Sequence, residues 1–201
     1  MELHTGPMTL RHEAITPISG SPCSAITDIE GELVIDEGGQ EVIAGRFKML
    51  YVDFLESGFE MPEIINEAHE LQQFGLIFDE GREMYSDQVA ALLGPLIQER
   101  PNLIILESLE LIEKYRGLGI GKKIVDRALK LYGNQAEVAV LNAFPMQMNH
   151  PIRSDEWMRS MNYRDLDGDM PKATANLIGL FEGMGFQQLP DRAVMVKNLW
   201  R

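Results

Sequence analysis

Between Tyr115 and Lys122 the chain reads YRGLGIGK, and its glycines, Gly117, Gly119 and Gly121, are spaced for a tight turn that opens a helix. Glycine lets a backbone adopt conformations closed to other residues and approach a ligand closely. The free N–H groups and the dipole at a helix start then attract phosphate oxygens. Just upstream, Glu107 and Glu110 interrupt an otherwise apolar run. Burial of a carboxylate is costly, which singles these two out, and the turn itself is suited to something anionic.

Two phosphate motifs compete for this context, and the spacing excludes both. A Walker A loop needs glycine five positions before Gly121 and Ser or Thr after the lysine, where the chain has Arg116 and Lys123. The dinucleotide fingerprint needs glycine at residue 122, which is Lys122.

The elements that must hold these residues follow from local pattern. NLIILESLELI, Asn102 to Ile112, is a central strand expected to be buried on both faces. After the turn, Ile120, Ile124, Ala128 and Leu131 line one helix face while Lys122, Lys123, Arg127 and Lys130 occupy the other. Upstream, Gly31–Asp36 and Glu41–Phe54 flank the turn EGGQ as an antiparallel hairpin. Ile64, Ile65, Ala68, Leu71 and Phe74 predict a helix over 61–78, begun at Pro62, and a second helix is expected from a Ser86 cap to Arg100. Residues 1–30 read as an irregular entry with one short strand, and 145–171 as a loop-rich insertion rich in methionine, suited to gap-filling or to adaptable packing around a substrate.

Arg116, Gly119 and Gly121 stand at the first, fourth and sixth positions of a Gln/Arg-x-x-Gly-x-Gly/Ala element, and LIGLFEGMGFQQLP followed by AVMVKNL closes the chain. With the strand before the turn, these segments resemble the GNAT N-acetyltransferase superfamily over 102–144 and 173–199. The resemblance implies an α/β fold with a mixed, centrally splayed β-sheet flanked by helices, over one domain spanning 1–201, with 61–100 and 145–171 as candidate insertions. It implies acetyl-CoA as acyl donor: the backbone of Leu109, Glu110 and Leu111 pairs with the pantetheine arm. Arg116 opens the turn, and Gly117, Leu118, Gly119, Ile120, Gly121 and Lys122 hold the pyrophosphate. EVAVLNAF (Glu137–Phe144) becomes the next parallel strand, with Asn142 near the opening between the two.

The implied reaction is transfer of an acetyl group to an amine by direct attack, with backbone N–H near Leu111 polarising the carbonyl and Glu107 or Glu110 as the base, Glu107 preferred. In a regular strand these two point to opposite faces unless a bulge re-aims one. Two departures from the family stand out. Early helices fall between hairpin and motif strand, and Phe181 occupies the position of the tyrosine that protonates the leaving thiolate. The alternative reading is therefore a catalytically inactive acyl-CoA-binding or sensing module. A cleft ending in a carboxylate favours the enzyme; a cleft plugged by 145–171 favours the module.

A formal charge of -13 with 24% charged residues argues against binding a phosphate backbone and for an amine-bearing small molecule or peptide as acceptor. On that ground nucleic acid is expected to be excluded, and with it an aminoacyl-tRNA-acetylating activity. No apolar run reaches membrane-span length, so no membrane partner is expected, and edge strands near the C-terminus leave room for a homodimer. Cys23, the single cysteine, fits a reducing compartment, and the cytoplasm is expected. His4, His12, His69 and His150 lack metal spacing, and Asp165, Asp167 and Asp169 lack the closing glutamate of a calcium loop, so no metal is expected.

Overall fold

A computed structural model describes the chain except for residues 1–5, 19, 56–57, 80–83, 95–101, 149–155, 164–165, 167, 191 and 201. His4, His150, Asp165 and Asp167 lie outside the described residues, as does the end of the helix expected to reach Arg100.

The N-terminal part is more regular than its sequence suggests. β1 (Met8–Ile15) pairs antiparallel with β2 (Ile26–Asp36), which pairs antiparallel with β3 (Glu41–Val52). The β1 side chains are nearly all exposed, so no inward–outward alternation marked this strand; its partner β2 defines it. The expected hairpin is present, its turn closed by the Gly39 N–H donating to Asp36 Oδ1 at 2.6 Å.

The helix expected over 61–78 is two short ones, α1 (Met61–Glu67) and α2 (His69–Gln72), divided at the extended residue Ala68. Ile64, Ala68, Leu71, Phe74 and Ile77 are nevertheless all buried in one cluster. Helical spacing reported which face is buried, and the hydrogen-bond ladder breaks without disturbing that face. The Glu60 N–H donates to Glu63 Oε2 at 3.0 Å, one half of a capping box, and Pro62 sits in the first turn. A two-residue pair, β4 (Phe78–Asp79) and β5 (Met84–Tyr85), leads to α3 (Asp87–Leu93), capped at Ser86 without a side-chain bond and ended by Gly94 at φ 73.

β6 (Leu103–Leu111) lies antiparallel to β3 and parallel to β7 (Val138–Asn142), with α4 (Ile120–Tyr132) crossing between them. α5 (Glu156–Met161) follows within the 145–171 stretch, then α6 (Met170–Glu182), β8 (Gln187–Gln188) and β9 (Val194–Asn198). The sheet order is β1-β2-β3-β6-β7-β9-β8, the mixed sheet flanked by helices expected from the sequence. The three early helices stand between the hairpin and the motif strand, in the order read from the sequence.

Each face of the sheet carries its own core. Side chains of α1, α2 and α3 bury Leu50, Val52, Leu103 and Ile105 on one face, and α4 and α6 bury Met49, Ile104, Leu106 and Leu141 on the other. Ile120, Ile124, Val125 and Leu129 carry α4 onto that second core, each contributing on the order of 1.5–3 kcal/mol. β6 is buried on both faces only as far as Leu106, because its pairing with β7 stops at Leu106 opposite Leu141 and the strands part there.

Candidate active site

The strand–turn–helix unit has the conformation its glycines require. Gly117 and Gly119 sit at φ 73 and φ 71, in the left-handed region that side chains with a Cβ avoid. A Cβ on Gly121 would stand 3.4 Å from Leu109 Cδ2, so glycine lets α4 lie close on β6. Gly119 caps α4 with no side-chain bond, and no acid stands in the first turn. The Lys123 N–H, donating to the Gly119 carbonyl at 3.3 Å, follows the amides of Ile120, Gly121 and Lys122, which precede the intrahelical ladder.

Where β6 and β7 part, a cavity of about 490 Å³ opens. The outer half of β6, Gly121 of the turn, Asn142 at the end of β7 and Phe181 of α6 all line it. Among the expected site residues, Glu107, Leu109, Glu110, Leu111, Arg116, Gly121 and Asn142 come together here, while Gly117, Leu118, Ile120 and Lys122 stand on the adjoining turn and helix start. Leu118 is exposed, and the Ile120 side chain belongs to the core.

Two basic residues of the motif are directed at carbonyls. The Arg116 Nε–H donates to the Leu111 carbonyl at 2.8 Å and its Nη2 donates to the Met161 carbonyl, which ties the turn to β6 and α5. The Lys122 ammonium donates to the Gly183 carbonyl at 3.2 Å, just past the end of α6. Ahead of the turn, Glu37 of the hairpin accepts from the Lys114 ammonium and the Tyr115 hydroxyl. Burial, then that hydrogen bond, pushes the Tyr115 phenol up to about 12.

The two glutamates do not point apart as a regular strand would make them. β3 pairs with β6 through Lys48 opposite Ser108 and Met49 opposite Leu106, which leaves Glu107 as the extra residue of a bulge. The alternation changes phase there: Ile104 and Leu106 face the α4 core before it, and Leu109 and Leu111 pack against that core after it. Both carboxyl-bearing residues consequently line the same cavity. Glu107 pairs with the Lys48 ammonium at 3.0 Å, and Asp28 approaches that ammonium at 3.4 Å. Burial works against the charge on Lys48, but the hydrogen bond and charge of Glu107, with Asp28, hold its pKa above the ordinary value.

Glu110 is held differently. Its Oε2 accepts the indole N–H of Trp157 at 2.7 Å, and its Oε1 accepts the hydroxyl of Tyr163 at 3.0 Å. Trp157 in turn covers the Arg46 guanidinium, which donates to Glu32 at 3.2 Å. The cleft thus holds a carboxylate, and Trp157 and Tyr163 of the 145–171 segment bond to it. Met146 and Met161 from that segment also line the cavity. Sequence reasoning missed Trp157 and Tyr163, which lie 47 and 53 residues from Glu110 in a stretch without periodicity, and no local signal joins them.

No protein-family model matches the chain, and no curated protein matches its sequence. Solved structures similar to it include a KacTA–DNA complex, at 11% identity over 96% of this chain and 94% of that one with a TM-score of 0.45. AtaTR bound with acetyl-CoA is similar at 8% identity over 95% of this chain and 94% of that one, TM-score 0.40. AtaT complexed with acetyl-methionyl-tRNAfMet is similar at 8% identity over 94% of this chain and 95% of that one, TM-score 0.40. The DNA and tRNA complexes of these similar structures run against the expectation that nucleic acid is excluded and that the acceptor is a small molecule. Physically, a charge summed over the whole chain does not set the sign of the potential at one face. No helix among the described residues is long and apolar enough to cross a membrane.

Proposed function

We propose that the chain, as one domain, binds acetyl-CoA and transfers its acetyl group to an amine by direct attack. The observation that carries this reading is the single cavity joining a glycine turn at a helix start to a parted strand pair that bears Glu110. The amides of Gly117 to Lys122 receive the pyrophosphate, and the outer edge of β6 at Leu109, Glu110 and Leu111, left without β7, pairs with the pantetheine arm. Arg116 acts as a staple that keeps the turn against β6, and the Lys122 ammonium, engaged with Gly183, leaves its backbone amide to the phosphate. Backbone N–H near Leu111 polarises the thioester carbonyl, and Asn142 borders the opening.

We place the base at Glu110 rather than Glu107, because the Lys48 ammonium holds the Glu107 carboxylate while the Trp157 indole and the Tyr163 hydroxyl orient both oxygens of Glu110. Calorimetric titration of acetyl-CoA into wild type and Gly119→Glu tests the coenzyme site. Binding by wild type alone supports it, since the added carboxylate repels phosphate at the turn. A folded wild type that binds no acetyl-CoA overturns it.

The second reading, an acyl-CoA-binding or sensing module without turnover, draws on Phe181 and on the reach of Trp157 and Tyr163 across Glu110. Tight acetyl-CoA binding with no thiol release in the presence of any amine would select it.

A further inference from the structure

Position 181, where the family resemblance puts a phenolic acid, holds a phenylalanine whose ring packs edge-on against Phe186 with centroids 5.8 Å apart. Among the described residues lining the cavity, one side chain carries a phenol: Tyr163. Its hydroxyl donates to Glu110 Oε1 at 3.0 Å, while Glu110 Oε2 accepts from Trp157 at 2.7 Å. An indole N–H can only donate, so it fixes Oε2 as an acceptor and turns Oε1 toward the phenol. A carboxyl and a phenol so joined can exchange roles: if Oε1 gains a proton and the phenol loses one, the same hydrogen bond runs in reverse.

We infer that Glu110 and Tyr163 form a single proton relay, in which Tyr163 supplies the leaving thiolate with the proton that Phe181 cannot. This rests on the acetyl-transfer reading above. The amine nitrogen bonds to the acetyl carbon as the carbon–sulfur bond breaks. The proton shed by nitrogen goes to Glu110, and the Tyr163 hydroxyl proton goes to the thiolate sulfur. Glu110 then returns its proton to the Tyr163 phenolate across their hydrogen bond. Amine and thioester become amide and thiol, and both residues end as they began. Base and acid are therefore two ends of one hydrogen bond, with no bulk water needed to reset them.

The test measures thiol release from acetyl-CoA with hydroxylamine as probe acceptor, together with the acetyl-CoA dissociation constant of each variant. Tyr163→Phe and Glu110→Gln should each lower kcat about 100-fold, the usual scale of a lost acid or base, with the dissociation constant unchanged. The double variant should be no slower than the slower single one, because both changes break one relay. Trp157→Phe removes the indole's bond to Glu110 but no transferable proton, and should cost less than about tenfold. The relay is overturned if Tyr163→Phe turns over at the wild-type rate, if the two losses multiply, or if Trp157→Phe matches Tyr163→Phe. A wild type that binds acetyl-CoA yet releases no thiol also overturns it and leaves the coenzyme reading standing. Failure to bind acetyl-CoA overturns the coenzyme reading itself.

Discussion

The indole of Trp157 lies over the guanidinium of Arg46, 4.4 Å from it, so a helix late in the chain is fastened to a strand near its beginning. The same indole donates to Glu110 at 2.7 Å. α5 is held by this side chain on the face where β3 and β6 run together. Arg46→Ala removes the stacking partner and the ion pair with Glu32. Both are partly exposed, so the expected cost is about 1 kcal/mol of unfolding free energy, accompanied by a red shift in tryptophan fluorescence. An unchanged emission spectrum would show that Arg46 does not seat the indole.

Gly119 separates conformation from charge at the turn. A Cβ there meets nothing within 4 Å, but its φ of 71 lies in the left-handed region. Gly119→Ala should therefore cost about 1 kcal/mol in denaturant unfolding and still bind acetyl-CoA, in contrast to Gly119→Glu. If alanine abolishes binding as completely as glutamate does, backbone conformation rather than repulsion explains both.

Asn102 pins the start of β6 to the end of β3. Its Oδ1 accepts the Phe54 N–H at 2.9 Å and its Nδ2 donates to the Tyr51 hydroxyl at 2.7 Å, with only 5% of the residue exposed. Asn102→Ala leaves a buried backbone donor without its acceptor, and urea denaturation should show a loss of about 2 kcal/mol. A loss below about 0.5 kcal/mol would mean that the Phe54 amide finds another partner.

Glu137 introduces a pH dependence. It is 1% exposed, neither carboxylate oxygen has a hydrogen-bond partner among the described residues, and burial raises its pKa from 4.5 to about 7. Between those values the folded state holds a proton that the unfolded state has released, so stability falls as pH rises. The penalty is absent well below pH 4.5, grows toward pH 7 and is constant above, reaching about 3 kcal/mol. Glu137→Gln should flatten this slope, as thermal melts from pH 4 to about pH 8 would reveal. A slope that persists in the variant assigns it to another group.

The unit from Leu103 to Tyr132 was legible because its determinants are local. Glycine can take left-handed φ wherever it lies, and apolar residues three and four apart share a helix face in any fold. The hairpin at Glu37–Gln40 and the closing α6–β9 segment were readable for the same reason. β1 was not, since an edge strand with exposed side chains on both sides carries no alternation, and its identity comes from hydrogen bonds to β2.

The sequence by itself determined the strand, the glycine turn, the amphipathic helix and the nearness of two glutamates to that turn. Only the tertiary structure decided what those groups do there. Cross-strand register with β3 made Glu107 a bulge and brought it and Glu110 to one cavity. Chain packing sent the Arg116 and Lys122 side chains to carbonyls and delivered Trp157 and Tyr163 to Glu110. Register and long-range contact are properties of pairs of segments, and a pattern read along one segment at a time holds no information about its partner.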